Sequence, residues 1–295
     1  MQKRTGAGPS TAHRRVGNCF AWTRCRALLC WSFRFGYDAT VRTAGVYSQF
    51  AVLAVALTLP LCAEDHLKYG HPSCSGPVLD KEHFVICHDG AQKIPAWVGY
   101  ALTRADLAHP AADRDSFQFR SDAQVPRPER AFPADYTNSG YDRGHMAPAA
   151  DFKRSVEALR STFVLSNAVP QRHGINAGQW SRLEAAVRAL ADGHGKVWVF
   201  SGPLFVGKRP LRNIGRGRVA VPTHTFKVIL CVHQDDGKEA FAFVMPNLNR
   251  VRGELEDFAF SVSYVQRLTG LDFFAGLPAA EQGRLERVTR PLPFQ

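Results

Sequence analysis

The sequence predicts one α+β domain with a mainly antiparallel or mixed sheet and flanking helices. Three observations carry that expectation. Two stretches, residues 83–103 and 224–247, each hold two apolar runs around a turn, Asp89-Gly90 in the first and Asp235-Asp236-Gly237 in the second. That is the pattern of a β-hairpin. Between them, residues 178–192 (GQWSRLEAAVRALAD) show helical spacing, with Trp180, Leu183, Val187 and Leu190 on one face. Strands and helices are also interspersed without a regular βαβ beat, which argues for α+β over a doubly wound parallel sheet.

In chain order, the first element is a leader. Residues 1–63 hold eight Lys or Arg and one acid, Asp38, with no clear helical or strand period in the first 48. The apolar run Phe50–Ala63 has about the length of a signal-peptide core and is short for a membrane span. Residues 41–63 therefore read as a secretory signal cleaved near Ala63, although Leu61 makes the cleavage box imperfect. Such a core does not usually begin 40 residues into a chain. Either the true start lies downstream of Met1, or the Arg-rich front is an organellar transit segment; a buried helix or membrane anchor at 50–62 is the remaining reading. Residues 64–295 read as a single domain with 29 basic and 25 acidic residues, a net of +4. This balance allows a polyanionic partner without demanding one. A 45% hydrophobic and 11% aromatic composition excludes disorder as the main state.

Four of the seven cysteines (19, 25, 30, 62) lie in the leader. Cys74 and Cys87 are placed to form a disulfide in an oxidising compartment, and Cys231, in an apolar run, is expected as a buried free thiol. There is no CxxC pair, so a zinc site of that kind is not expected.

Within the body, residues 104–138 are polar and Pro-rich and read as a long surface connection. Residues 151–167 (DFKRSVEALRSTFVLSN) look like a short helix running into a strand-like segment. GHGKVWVFSGPLF, 193–205, is a Gly-bounded buried strand, and 254–270 reads as a helix ended by Gly270.

The chemistry centres on SGYDRGHMAPAADF, 139–152, which packs a carboxylate, a guanidinium and an imidazole into Asp142–His145. With Asn167, Asn176, Glu184 and Arg188 it makes a set suited to phosphodiester hydrolysis. A neutral His takes a proton from water near pH 7. An amide oxygen and an acid hold a hard cation that keeps several waters. Arginines match phosphate oxygens and oppose charge growing at phosphorus. At 100° per residue, Glu184 and Arg188 flank the buried face of the 178–192 helix, with Asn176 at or just before its start. Singly, each residue has a plainer reading: a surface His, a solvated i,i+4 pair, a helix cap.

YDRGHMAPAADF resembles the signature of the DNA/RNA non-specific endonucleases, the family of secreted bacterial nucleases and mitochondrial endonuclease G. FVLSNAVPQ followed by INAGQWSRLEAAVR resembles the family's second block, with nine residues from Asn167 to Asn176, eight to Glu184 and four to Arg188. VWVFSGPLF, VPTHTFKVIL, FAFVMPN and SVSYVQRLTGLDFF resemble its later strands and closing helix. The similarity runs from about Cys74 to Leu277.

The resemblance implies the ββα-metal (His-Me finger) fold and a role for each residue. His145 would be the general base, oriented by a backbone carbonyl, with an acid limb below about pH 6 from its ordinary pKa of about 6.5. Asn176 would be the direct ligand of Mg²⁺ (Mn²⁺ as substitute), and Glu184 would hold a metal-bound water. Arg143 and Arg188 would contact the phosphate. Asn167 would bind phosphate or brace the site, Asp142 would be structural, and Gly144 would permit a tight backbone. Gln266 stands where family members often carry Glu, which touches only a peripheral contact.

The implied activity is exported, Mg²⁺-dependent cleavage of DNA and RNA with little sequence preference. The alternatives are a catalytically silent nucleic-acid binder and an organellar nuclease of the endonuclease G type. The implied location is secreted or periplasmic, with mitochondrial as the alternative and no stable membrane insertion after processing. A homodimer and a protein inhibitor remain open.

Overall fold

The computed structural model describes residues 66–108, 113–207 and 212–293. All of them lie in one compact unit, Thr58–Gln295. The leader reading falls outside the described residues. No helix among them is long and apolar enough to cross a membrane.

Both predicted hairpins form. β2 (Val85–Asp89) and β3 (Ile94–Thr103) pair antiparallel with a bulge between Cys87 and His88. β9 (His224–Val232) and β10 (Lys238–Pro246) pair along their whole length around the Asp-Asp-Gly turn, where Asp236 takes a φ of 64°. The hairpins are joined through β6 (Lys196–Leu204), the predicted Gly-bounded strand, which pairs antiparallel with β3 and β9. With β1 (Val78–Asp80) and β11 (Ala259–Phe260) at the edges, the sheet runs β1-β2-β3-β6-β9-β10-β11. Two short ribbons complete the strands: β4 (Asp142–His145) with β5 (Ala168–Gln171), and β7 (Asn213–Ile214) with β8 (Val219–Ala220).

Alternation along the strands splits the core between the two faces of the sheet. On one face, Val197, Val199, Ile229 and Phe243 pack in one cluster with Leu183, Val187 and Leu190 of α5 (Ser181–His194). On the other, Phe200, Phe226 and Val228 pack with Val262 and Val265 of α6 (Val262–Thr269) and Leu285 of α7 (Ala279–Glu286). Each such fully buried side chain contributes about 1.5–3 kcal/mol. Cys74 is bonded to Cys87, a bridge that the sequence allowed without settling, and Cys231 is a buried free thiol.

Several elements differ from the sequence reading. The stretch 104–138 is more than a surface connection. After α1 (Arg104–Leu107), it buries Val125, Ala131 and, in α2 (Pro133–Tyr136), Tyr136. After α3 (Val156–Ser161), Leu165–Asn167 form a 3-10 turn and the strand starts only at Ala168. Residues 254–270 divide into a 3-10 turn, β11 and α6, because β10 captures Ala259–Phe260 and the Ser261 hydroxyl caps a new helix start at Tyr264 N. Gly270, with φ 72°, does end that helix.

Candidate active site

β4 lifts the motif into a ribbon against β5, with Asp142 opposite Gln171, Arg143 opposite Pro170, Gly144 opposite Val169 and His145 opposite Ala168. Gly144 is glycine for space rather than for a tight backbone. It sits in ordinary strand, and a Cβ there would run into the Gln171 side chain.

His145 is buried, and its ring lies between Phe119 (centroids 4.5 Å) and Phe163 (5.0 Å). Two aromatic rings, rather than a backbone carbonyl, hold the imidazole, and Nε2 has no protein partner. Burial, helped by the charge of Arg114, pushes its pKa down to about 3, so the ring is neutral across the working range. With the ring neutral at pH 6, an acid limb there would have to come from another group. Arg143 donates from Nη2 to the Pro133 carbonyl at 3.3 Å and lies over the Tyr136 ring, while its buried Nε has no partner. Beside it opens a cavity of about 550 Å³ lined by Arg114, Phe117, Phe119, Pro133, Arg143 and Phe163.

Asn167 is fully buried, and its side chain is spent on backbone. Nδ2 donates to Ala147 O (3.0 Å) and Thr162 O (2.9 Å), and Oδ1 accepts from Ala147 N (2.9 Å). That geometry braces the loop after His145 and leaves no atom for phosphate. Of the two roles implied for Asn167, the structure favours the brace.

Asn176 does not stand at a regular helix start. It follows α4 (His173–Ile175) and opens a π-type turn, Asn176–Trp180, that kinks at Gly178 before α5 begins. The even 100° phase assumed from Asn176 to Glu184 is broken there. Asp142 Oδ2 accepts from Asn176 Nδ2 at 2.9 Å and pairs with His173 Nδ1 at 2.9 Å. Asp142 thus engages the amide nitrogen and leaves the Asn176 oxygen available. An amide oxygen and the Glu184 carboxylate are both of the type that suits a hard divalent cation.

Glu184 and Arg188 belong to a network that includes three residues without a role assigned from sequence, Asp151, Tyr100 and Lys227. Arg188 Nη1 binds Asp151 Oδ1 at 2.9 Å, and the Tyr100 hydroxyl donates to Asp151 Oδ2 at 2.8 Å. Lys227, fully buried on β9, donates from Nζ to Ser201 Oγ at 2.8 Å and lies 4.7 Å from the centre of the Trp180 ring. Burial pushes the Glu184 carboxyl up to about 7 against the opposing pull of Lys227, and burial lowers the Lys227 ammonium against the pull of Glu184 and Asp151. A lone Lys inside the apolar run HTFKVILCV was the signal for this network, since a buried ammonium needs partners. Arg114 was also missed, because only the folded wall brings it to His145. Gln266, by contrast, is peripheral and donates to Asp272 Oδ1 at 3.0 Å.

Comparison with known proteins bears on this arrangement. The family model for DNA/RNA non-specific endonuclease matches residues 62–280. The chain is 38% identical over 234 residues to Nuclease C1 of Cunninghamella echinulata var. echinulata, covering 76% of this chain and 92% of that protein. It is 36% identical over 231 residues to mitochondrial Endonuclease G of Homo sapiens, covering 75% and 77%. A crystal structure of an EndoG/EndoGI complex superposes with a TM-score of 0.68 at 34% identity, over 72% of this chain and 91% of that one. Matched in sequence across most of its length and in the ββα-metal fold that frames the DRGH ribbon, the chain belongs to the DNA/RNA non-specific endonuclease family, and it is a nuclease, a hydrolase.

Proposed function

We propose that this nuclease is a Mg²⁺-dependent endonuclease that cuts DNA and RNA with little sequence preference. One observation carries the reading: a neutral His145 two residues from Arg143, which lines an open cavity and whose Nε has no protein partner. The neutral imidazole takes a proton from water and holds it as the phosphodiester bond is attacked. Arg143 and Arg114 offer N–H groups to phosphate oxygens, and Asp151 holds Arg188 ready for the same task. Asn167 keeps the loop after the base in place. Asn176, through its amide oxygen, and Glu184, through water, would hold the metal, which when bound supplies positive charge at the phosphate and the leaving oxygen; Mn²⁺ would substitute. Groups that grip phosphate carry no sequence information, hence the breadth of substrate.

Digestion of plasmid DNA and of RNA with Mg²⁺ or with EDTA tests the proposal. Both polymers should be cut with Mg²⁺ and spared in EDTA. Asn176→Ala should lose most activity while staying folded; near-normal turnover at low Mg²⁺ in that variant would remove Asn176 as the ligand.

We also propose that residues 1–63 are a leader removed on export, leaving 64–295 as one nuclease domain. The Cys74–Cys87 bridge supports an oxidising destination, and the family match begins at residue 62. The mitochondrial relatives support the organellar alternative. N-terminal sequencing of the mature protein separates the two: a start near Glu64 in the exported fraction supports the first, and an intact leader there sinks it. A relative solved as an inhibitor complex supports a protein inhibitor as a second class of partner. An excess of such an inhibitor that leaves cleavage unchanged would remove that suggestion.

A further inference from the structure

At the far end of α5 from Glu184, three side chains of metal-ligating type converge. His194 closes α5, and Gly195, with φ 101°, turns the chain straight into β6. Cys231 and His233 lie two residues apart at the end of β9, on the face that packs α5. The ligating atoms of His194, Cys231 and His233 all lie within 4.8 Å of one another. The two imidazoles meet at 82°, Nδ1 to Nδ1 at 2.8 Å. Behind them, Glu239, the β10 residue opposite Cys231, pairs its carboxylate with His233 Nε2 at 3.1 Å. A cavity of about 820 Å³ opens beside the histidines, lined also by Lys238, Glu239 and Arg284.

We propose that His194, Cys231 and His233 form a transition-metal site of the Zn²⁺ type, separate from the catalytic centre, that clamps the end of α5 to the β9–β10 hairpin. Two imidazoles and a thiolate match the ligand preference of Zn²⁺ and not that of Mg²⁺. Tetrahedral coordination with Zn–N of about 2.0–2.1 Å and Zn–S of about 2.3 Å sets the nitrogens about 3.3 Å apart and each about 3.6 Å from the sulfur, so ligand atoms within 4.8 Å of one another need adjust by about 1.2 Å at most. Glu239 supplies the carboxylate that metal-bound imidazoles commonly use to fix their tautomer. The thiol proton leaves to solvent when the metal binds. The site lies about 15 Å along α5 from Glu184, ten residues at 1.5 Å each. Occupancy would stiffen the helix that carries Glu184 and Arg188.

The test uses the full chain, in which the four leader cysteines give a background common to every variant. Co²⁺ should produce a thiolate-to-metal absorption band that falls in Cys231→Ser and His233→Ala and persists in Asn176→Ala. Zn²⁺ should raise the unfolding temperature of the wild type and not that of Cys231→Ser or His194→Asn. Glu239→Gln should weaken Zn²⁺ binding about 10–100-fold. His194→Asn, at a half-buried helix end, keeps the test decisive if the buried Cys231 variant does not fold. A Co²⁺ band and a Zn²⁺ shift that are unchanged in these ligand variants, or no Zn²⁺ shift in the wild type, overturn the proposal.

Discussion

At the scale of single residues, burial decides which group titrates. His145 is held neutral down to about pH 3, while Glu184 gains its charge only near pH 7. At limiting Mg²⁺ the acid limb of kcat/KM should lie near pH 7 and follow Glu184: the carboxylate fraction falls as pH drops through 7, and the imidazole does not change. Profiles from pH 5 to 9 check this. His145→Ala should cut about 10²–10⁴-fold more slowly, still bind DNA, and keep the limb that Glu184→Gln loses. A limb that disappears in His145→Ala would return the titration to the imidazole. The sign for stability runs the other way. The folded pKa of Glu184 lies above its ordinary 4.5, so its contribution is full below that value and is lost as pH rises through about 7. Asn167 makes a second prediction. Asn167→Ala leaves three buried backbone groups unpaired, at about 1–3 kcal/mol each. Urea unfolding should show that loss, whereas a phosphate-binding Asn167 would cost turnover with the midpoint unchanged.

Elements were legible where their information is local. Each hairpin carries its own turn, and α5 carries its own apolar stripe, so both were read from the sequence. β11 was not, because what makes a strand of Ala259–Phe260 is a partner sixteen or more residues away in β10. The kink at Gly178 was hidden for a related reason: a pattern of apolar residues reports the face of a helix, not a break in its phase. At the site, Asn167 needed its hydrogen bonds to show that it braces, His145 its two aromatic neighbours, and Asn176 the kink at Gly178. What could not be read were the groups supplied across elements: Arg114 and Phe119 from the 104–138 wall, Lys227 from β9, and Asp151 from the 3-10 turn after β4. Asp151 ties these elements together, since it holds Arg188 of α5 and Tyr100 of β3 at once. Asp151→Ala leaves a guanidinium without its buried counter-charge, and such losses cost about 3–5 kcal/mol. Denaturation should show a loss of that size, together with a fall in kcat as Arg188 loses its orientation. Asp151→Asn keeps hydrogen-bonding atoms in place and should recover part of both. Full activity in Asp151→Ala would mean that Arg188 needs no holder.

Across the whole molecule, the disulfide and the catalytic ribbon involve different strands. The Cys74–Cys87 bridge ties the chain entering the sheet to β2, whereas the DRGH motif lies in the separate β4–β5 ribbon. A 13-residue separation gives a bridge worth about 3 kcal/mol, so the Cys74→Ala/Cys87→Ala double variant should unfold at lower urea with kcat little changed. Charge follows a similar division. The body as a whole is only mildly basic, at +4, and we assign the electrostatic grip on nucleic acid to the guanidinium groups at the site, Arg114, Arg143 and Arg188. Neutralising about three phosphates gives a log–log salt slope of about −2.7 on duplex DNA and about −2.1 on single strands. Between 50 and 200 mM salt, duplex binding should then weaken about 40-fold, less than for a strongly basic DNA-binding protein. Arg143→Ala should flatten the duplex slope by about 0.9, equally on DNA sequences of different composition, because phosphate contacts do not distinguish bases. Binding isotherms at four salt concentrations on two unrelated duplexes measure both quantities. A slope of −6 or steeper would place the grip outside these three arginines, and an Arg143→Ala effect confined to one duplex would mean that the residue reads bases.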